Sequence, residues 1–267
     1  MHRILIELTM EMQFRYENLP ALEAGVARKR LVVLSGAGVS AESGVSTFRS
    51  AGGLWQQYDW RRMASVEGWE EEPEAVLDFY NKRRQDLIHV QPNHAHKLLA
   101  ELEKWYDVTI ITQNVDNLHE RSGSHDVRHL HGILTKYTSS TDREDPNCIV
   151  DVPLDIPIKL GDLAADGSQL RPYVVWFGEH VPAFDKAIPV VRSADIFVVI
   201  GTSLLVYPAS TLVRYARPDA LKFIINPDPR AFNPYDEHMA DEFVHIQENA
   251  TIGVETLIDI LKQQNND

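Results

Sequence analysis

The stretch Leu31-Val32-Val33-Leu34-Ser35-Gly36-Ala37-Gly38-Val39-Ser40-Ala41 joins four consecutive apolar residues to a glycine-rich turn. A strand with one wet face would alternate apolar and polar residues. A continuous apolar run reads instead as a strand buried on both faces, the habit of a parallel sheet. Gly36-Ala37-Gly38-Val39-Ser40-Ala41 matches G-x-G-x-x-G/A, a turn that lets backbone approach a pyrophosphate. A dehydrogenase would place an acidic residue about 20 positions on, at the end of a second strand. Asp59 has that spacing, but Leu54 to Arg62 does not read as a strand, so this reading is disfavoured. Gly38-Val39-Ser40-Ala41-Glu42 lacks the second glycine of a G-x-S-x-G hydrolase elbow.

Three more runs repeat the pattern. Val108–Ile111 precedes Thr112-Gln113-Asn114, Ile196–Ile200 precedes Gly201-Thr202-Ser203, and Leu221–Ile225 precedes Asn226-Pro227-Asp228. Helical patterns are predicted over Pro73–Val90, after an Asn93 cap, and over Pro208–Ala216 and Thr251–Lys262. Strands alternating with helices predict an α/β fold, a Rossmann-like doubly wound parallel sheet. Trp55–Val90, mostly helical and charged, and Lys136–Gln169, with Pro146, Pro153 and Pro157, break the rhythm. They are expected to form a smaller second lobe from two insertions. The expected division of the single catalytic unit 1–267 is a large lobe of residues 26–55, 93–135 and 170–267 and a small lobe of 56–92 and 136–169. Asp236–Glu248 reads as loop and solvated face.

With 267 residues, 44% of them hydrophobic, the chain can bury a sizeable core. Its formal net charge of -13 repels phosphate backbones, so no nucleic-acid partner is expected. No apolar run is long enough to span a bilayer and no secretory signal is visible, so no membrane partner and a cytoplasmic location are expected. A single cysteine, Cys148, excludes an intrachain disulfide framework and any cysteine-based zinc cluster.

In open α/β sheets ligands bind outside the carboxyl ends of the strands. Four such ends gather Gly36, Ala37, Gly38, Gln113, Asn114, Asp116, Gly201, Thr202, Ser203, Asn226 and Asp228, which favours a nucleotide site. Gly36-Ala37-Gly38-Val39-Ser40, then Thr47-Phe48-Arg49 and Gly53-Leu54-Trp55, resembles the sirtuins, the NAD-dependent protein lysine deacylases. Thr112-Gln113-Asn114-Val115-Asp116-Asn117-Leu118-His119, His129-Leu130-His131-Gly132, Val174-Val175-Trp176-Phe177-Gly178-Glu179, Gly201-Thr202-Ser203 and Val206-Tyr207-Pro208-Ala209 follow in that family's order.

The resemblance implies a cleft between the lobes holding NAD and an acyl-lysine peptide. In the family the acyl oxygen attacks C1′ of the nicotinamide ribose, nicotinamide leaves, and a histidine then acts as general base on the ribose hydroxyls. Water resolves the resulting alkylamidate adduct to free lysine and O-acyl-ADP-ribose. His131 matches that histidine, and an imidazole suits the role because its pKa lies near neutrality. Gln113, Asn114 and Asp116 match residues at the nicotinamide ribose and amide, with Asn114 and Asp116 counted as catalytic beside His131. Ser40, Thr47, Phe48, Arg49, Trp55, Val115, Pro227 and Ala250 join the strand-end residues as expected NAD contacts. His129 and His131, two apart, would share a strand face and could bind a metal, but no third ligand is evident. Asp116 could equally be a helix cap.

Tyr80 and Arg83 lie three apart on one helical face, where a phenol and a guanidinium could hold a carboxylate. They match the family's Y-x-x-R branch, which removes succinyl and malonyl groups, and some acetyl-lysine activity is allowed. The acylated-lysine protein partner is expected to bind as an added strand along Val175, Trp176, Phe177 and Gly178 and along Ser203–Tyr207. The chain departs from most sirtuins between His131 and Trp176, where the two zinc-binding cysteine pairs are missing. No structural zinc is expected, with Ile149, Val150, Val152, Leu154, Ile156 and Leu163 packing in its place. The alternatives are an NAD glycohydrolase or ADP-ribosyltransferase, which would release nicotinamide without acyl-lysine, and a non-catalytic NAD- or ADP-ribose-binding sensor.

Overall fold

The computed structural model describes residues 27–48, 52–230 and 241–264; Arg49, an expected NAD contact, lies outside them, as do residues 236–240 of the expected charged loop. In chain order the strands are β1 (Arg30–Ser35), β2 (Asp107–Thr112), β3 (Val127–His129), β4 (Gly132–Ser139), β5 (Val150–Asp151), β6 (Leu170–Val174), β7 (Ile196–Ile200), β8 (Leu221–Ile225) and β9 (Val244–Ile246). Among the described residues the helices of eight residues or more are α1 (Pro73–Ile88), α2 (His94–Glu101), α3 (Pro182–Arg192) and α4 (Ala250–Gln264).

Six strands form a parallel sheet in the order β3-β2-β1-β7-β8-β9. The continuous apolar runs have the expected cause. Leu31 and Val33 of β1, with Val198 and Ile200 of β7, face a core closed by α2 and α4. Val32 and Leu34, with Phe197 and Val199, face the opposite core, closed by α3 and the segment Ala209–Tyr215. Each strand thus feeds both layers, and alternation vanishes because neither face meets water. Asn93 caps α2 as expected, its side chain accepting from His96 N–H.

The second, smaller sheet is antiparallel, in the order β5-β4-β6. It packs against α1 through Leu77, Tyr137 and Ile158. Arg84, with no exposed surface, crosses from α1 into this lobe. Its guanidinium donates to the carbonyls of Leu134, Val152 (2.9 Å) and Pro153 (2.6 Å) and lies over the Tyr137 ring. Irregular chain leaves carbonyls without ladder partners, and one buried arginine supplies several of them.

Several expectations are corrected. Val150, Ile156 and Leu163 do not pack in a core but are exposed; Val152 and Leu154 are the members of the expected set that pack against buried clusters. Arg84 holds the carbonyls of the proline-rich chain at Val152 and Pro153, and the buried apolar residues of this lobe are Tyr137, Cys148 and Ile158 instead. Ala209–Tyr215 is a 3-10 helix rather than an α-helix. Val244–Ile246, read as loop, is an edge strand on β8, hard to read because Val244 is exposed and Ile246 alone is buried. Helix α3 went unpredicted because Pro182 opens it and Pro189 lies within it.

Candidate active site

The carboxyl ends of β1, β2, β7 and β8 open into one cleft of about 1560 Å³ between the two sheets. Drug-sized ligands occupy roughly 300–1,000 Å³, so the cleft has room for an extended ligand and a second group together. Its walls bring together the strand-end residues Gly36, Ala37, Gly38, Gln113, Asn114, Val115, Asp116, Gly201, Thr202, Ser203, Asn226, Pro227 and Asp228, with Ala250 from α4. Thr47, Phe48 and Trp55 face them from the loop after β1, and the Phe48 and Trp55 rings are 5.2 Å apart. Tyr80, Arg83, His131, Val175, Trp176, Phe177 and Gly178 line the same cleft.

Two turns fix the strand-end floor. Gly38 N–H donates to Gly201 O at 2.7 Å, and Gly201 has φ +62. A Cβ on Gly201 would lie 2.3 Å from Val39 N, and one on Gly36 2.7 Å from Thr202 Cβ. Only glycines let the ends of β1 and β7 touch in this way. Gln113 Nε2 then donates to Thr202 Oγ1 at 2.9 Å and Asn226 Nδ2 to Thr202 O at 3.0 Å, tying three strand ends to one threonine.

Ser40 does not reach the cleft. It is fully buried behind it, donating to Asp116 Oδ2 at 3.0 Å and accepting from Asn114 Nδ2 at 3.2 Å. It therefore orients two cleft residues. Asp116 also caps the following turn through Leu118 N–H while lining the cleft. Burial raises the Asp116 carboxyl above its ordinary value, partly offset by Leu118 N–H and Ser40. Beneath this layer His96 and His119 lie with ring centroids 4.9 Å apart and their planes tilted by 59°. Burial lowers His96 to about 4 and His119 well below the ordinary histidine value. Neither was singled out from sequence; the Asn93 cap and the His119 that ends the second motif were the signals that pointed to them.

The two adjacent histidines have opposite chemistry. His131 Nδ1 is 3.0 Å from the Gln113 carbonyl oxygen, which can only accept, so Nδ1 carries the hydrogen and Nε2 keeps its lone pair. Burial lowers the His131 pKa, against the pull of that carbonyl. His129 instead meets two acceptors, Asn114 O at 2.9 Å and Glu120 Oε1 at 2.7 Å. Burial opposes its protonation, but Glu120 outweighs it and the pKa is raised. His129 is thus a cation in an ion pair, and it does not pair with His131 as a metal site. Among the described residues no group of three or more His, Cys, Asp or Glu could hold a metal ion.

At the deeper end, Tyr80 Oη accepts from Trp176 Nε1 at 3.1 Å, which leaves its own O–H free to donate. Burial pushes this phenol's pKa up. Arg83 Nη2 donates to Asp86 Oδ2 at 2.7 Å, while Arg83 Nε is buried without a partner. Phe79 and Leu134 supply the apolar lining between. The cleft therefore carries a neutral imidazole, a phenol and a guanidinium on its walls.

The donor set suits a dinucleotide: amides, hydroxyls and a carboxylate at four strand ends, with aromatic rings opposite. Residues 36–208 match the model of the Sir2 family. An NAD-dependent protein deacylase of Bacteroides thetaiotaomicron is 51% identical over 234 residues, which are 87% of this chain and 98% of that protein. A mutant Sir2 homologue in complex with ADP ribose superposes with a TM-score of 0.77 at 36% identity, covering 90% of this chain and 94% of that one. A Sir2 complex with a p53 peptide and NAD+ has a TM-score of 0.66 at 28% identity, covering 87% and 93%.

Proposed function

The chain belongs to the Sir2 family and is an NAD-dependent protein deacylase, and we propose that the cleft described above is its active site and that it prefers acidic acyl groups on lysine. Bound NAD supplies a ribose C1′ that accepts the acyl oxygen as nicotinamide departs. Gln113, Thr202, Asn226 and Asp228 bind and orient the dinucleotide from the strand ends, with Phe48 and Trp55 excluding water from the opposite wall. Asn114 and Asp116, held by the buried Ser40, face its ribose and amide. His131 Nε2 takes the proton of a ribose hydroxyl, and the Gln113 carbonyl fixes the tautomer that makes this possible. The acylated peptide lies as an added strand against Val175–Gly178, through backbone groups that make few demands on sequence.

The single observation that supports the acidic preference is the sharing of one cavity by Tyr80, Arg83 and His131. A carboxylate at the end of an acyl chain gains a charge-assisted bond from Arg83 and a donor from Tyr80. Succinyl- and acetyl-lysine peptides incubated with and without NAD, read by mass spectrometry, test the reading. Tyr80→Phe with Arg83→Met should lower desuccinylation at least tenfold more than deacetylation. Equal losses on both substrates refute the acyl pocket. Nicotinamide release that needs no acyl-lysine would refute the deacylase assignment itself.

A further inference from the structure

Arg83 is paired within its own helix. Its Nη2 donates to Asp86 Oδ2 at 2.7 Å, one helical turn away on α1, and Asp86 lines the same cleft. The two partners differ in setting: the Arg83 side chain is 19% exposed and that of Asp86 53%. The contact is single, through one nitrogen and one oxygen, whereas a guanidinium can bind a carboxylate through two parallel bonds. Asp86 is thus a weak, displaceable partner for a largely buried cation.

We infer that Asp86 is a specificity-determining residue that sets the balance between acidic and uncharged acyl groups at Arg83. The inference rests on the acyl-pocket reading above. An acetyl group carries no charge, so against a bare Arg83 it would bury an unpaired cation; Asp86 keeps that cation paired and the uncharged substrate admissible. A succinyl carboxylate meets the opposite situation. It is attracted by Arg83 but repelled by Asp86, and must take over the Nη2 donor that Asp86 occupies. Asp86 therefore narrows the preference for acidic acyl chains from both sides, and does so without touching the reacting atoms.

Asp86→Asn tests this. The residue is more than half exposed, and the amide is nearly isosteric, so the fold is retained; a thermal melt checks it. The ratio of kcat/KM for succinyl- over acetyl-lysine peptide should rise about tenfold, equivalent to about 1.4 kcal/mol. The Kd of the succinyl-lysine peptide, measured by calorimetry without NAD, should fall while that of the acetyl-lysine peptide rises. In an Arg83→Met background the same substitution should raise the ratio by clearly less than in the unaltered chain, because only the direct repulsion of the succinyl carboxylate is left to relieve. If Arg83→Met alone selectively damages desuccinylation but Asp86→Asn leaves the ratio unchanged or lowers it, Asp86 only orients the guanidinium and the inference is overturned. If Arg83→Met does not distinguish the two peptides, the acidic-acyl reading fails and this inference falls with it.

Discussion

Arg171 lies flat against Trp176, its guanidinium carbon 3.3 Å from the ring centroid, while its nitrogens donate to Glu179 at 2.7 and 3.1 Å. Glu179 also accepts from Arg143 at 3.1 Å and from Trp176 N–H at 2.7 Å. Trp176 passes the constraint on through Nε1 to Tyr80. One carboxylate thus fixes the wall that carries both the expected peptide strand and the acyl pocket. Sequence gives Glu179 only as the last residue of the Val174–Glu179 motif and gives Arg171 no role, because their ion pair is visible only once the chain is folded.

Glu179→Gln should therefore be costly. It leaves the nearly buried Arg171 without an anion and Arg143 with Glu144 alone, and removing one partner of a buried pair typically costs about 3–5 kcal/mol. Urea denaturation should show a loss at the lower end of that range, since Glu179 keeps some exposure. A loss below about 1 kcal/mol would mean that the cluster is a surface ion pair in effect.

Gly201→Ala should fail for a reason of shape. The new Cβ would meet backbone on the β1 turn at 2.3 Å, and backbone cannot rotate aside. ADP-ribose affinity, measured by calorimetry, should fall at least tenfold as the two turns separate. Gly161 offers the contrast: its φ is +95, but nothing lies within 4 Å of an added Cβ. Gly161→Ala should cost only the left-handed backbone strain, roughly 1–2 kcal/mol, with ADP-ribose affinity unchanged.

The parallel sheet was legible because Leu31–Leu34 and its counterparts are apolar on both sides, and a short run without alternation, closed by a glycine-rich turn, fits a strand with no wet face. The strand ends were legible for a related reason: parallel strands deliver their carboxyl ends to one edge, so Gln113, Thr202 and Asn226 had to meet. The small sheet was not legible. Its strand β6 carries Arg171 and Pro172, and its cross-brace is a buried arginine next to the one assigned to the acyl pocket. Sequence does not distinguish Arg83 from Arg84; helical phase against a lobe of unknown shape does. The buried position of Ser40 was not legible for the opposite reason, since a hydroxyl in a glycine-rich turn reads the same whether it points outward or inward.

His131 should give activity a particular pH limb. Its base form is neutral, and its pKa lies below the ordinary value of about 6.5, so protonation removes the base only in acid. The acidic limb of kcat/KM should have its midpoint below about pH 6.5. A midpoint above that value would point to a histidine raised in pKa, such as His129. His131→Ala should reduce deacylation by about 10²–10⁴-fold with the melting temperature nearly unchanged.

Stability should follow the histidines buried beneath the cleft. In the unfolded chain His96 and His119 titrate near about 6.5, whereas in the fold His96 is lowered to about 4 and His119 further. Between these values the unfolded state binds more protons, so stability is complete above about pH 6.5 and falls as pH falls through the window. For His96 alone the loss by about pH 4 is roughly 3 kcal/mol. His129 acts in the other direction and in another window: its raised pKa contributes stability below about 6.5 that is lost as pH rises through the folded value. Urea midpoints at about pH 7.0, 6.0, 5.0 and 4.5 would trace the acid limb. His96→Gln, which cannot be protonated, should flatten that limb. A variant with the same slope as the unaltered chain would show that His96 takes up its proton in the folded state without penalty, and that the buried pair is not what limits stability in acid.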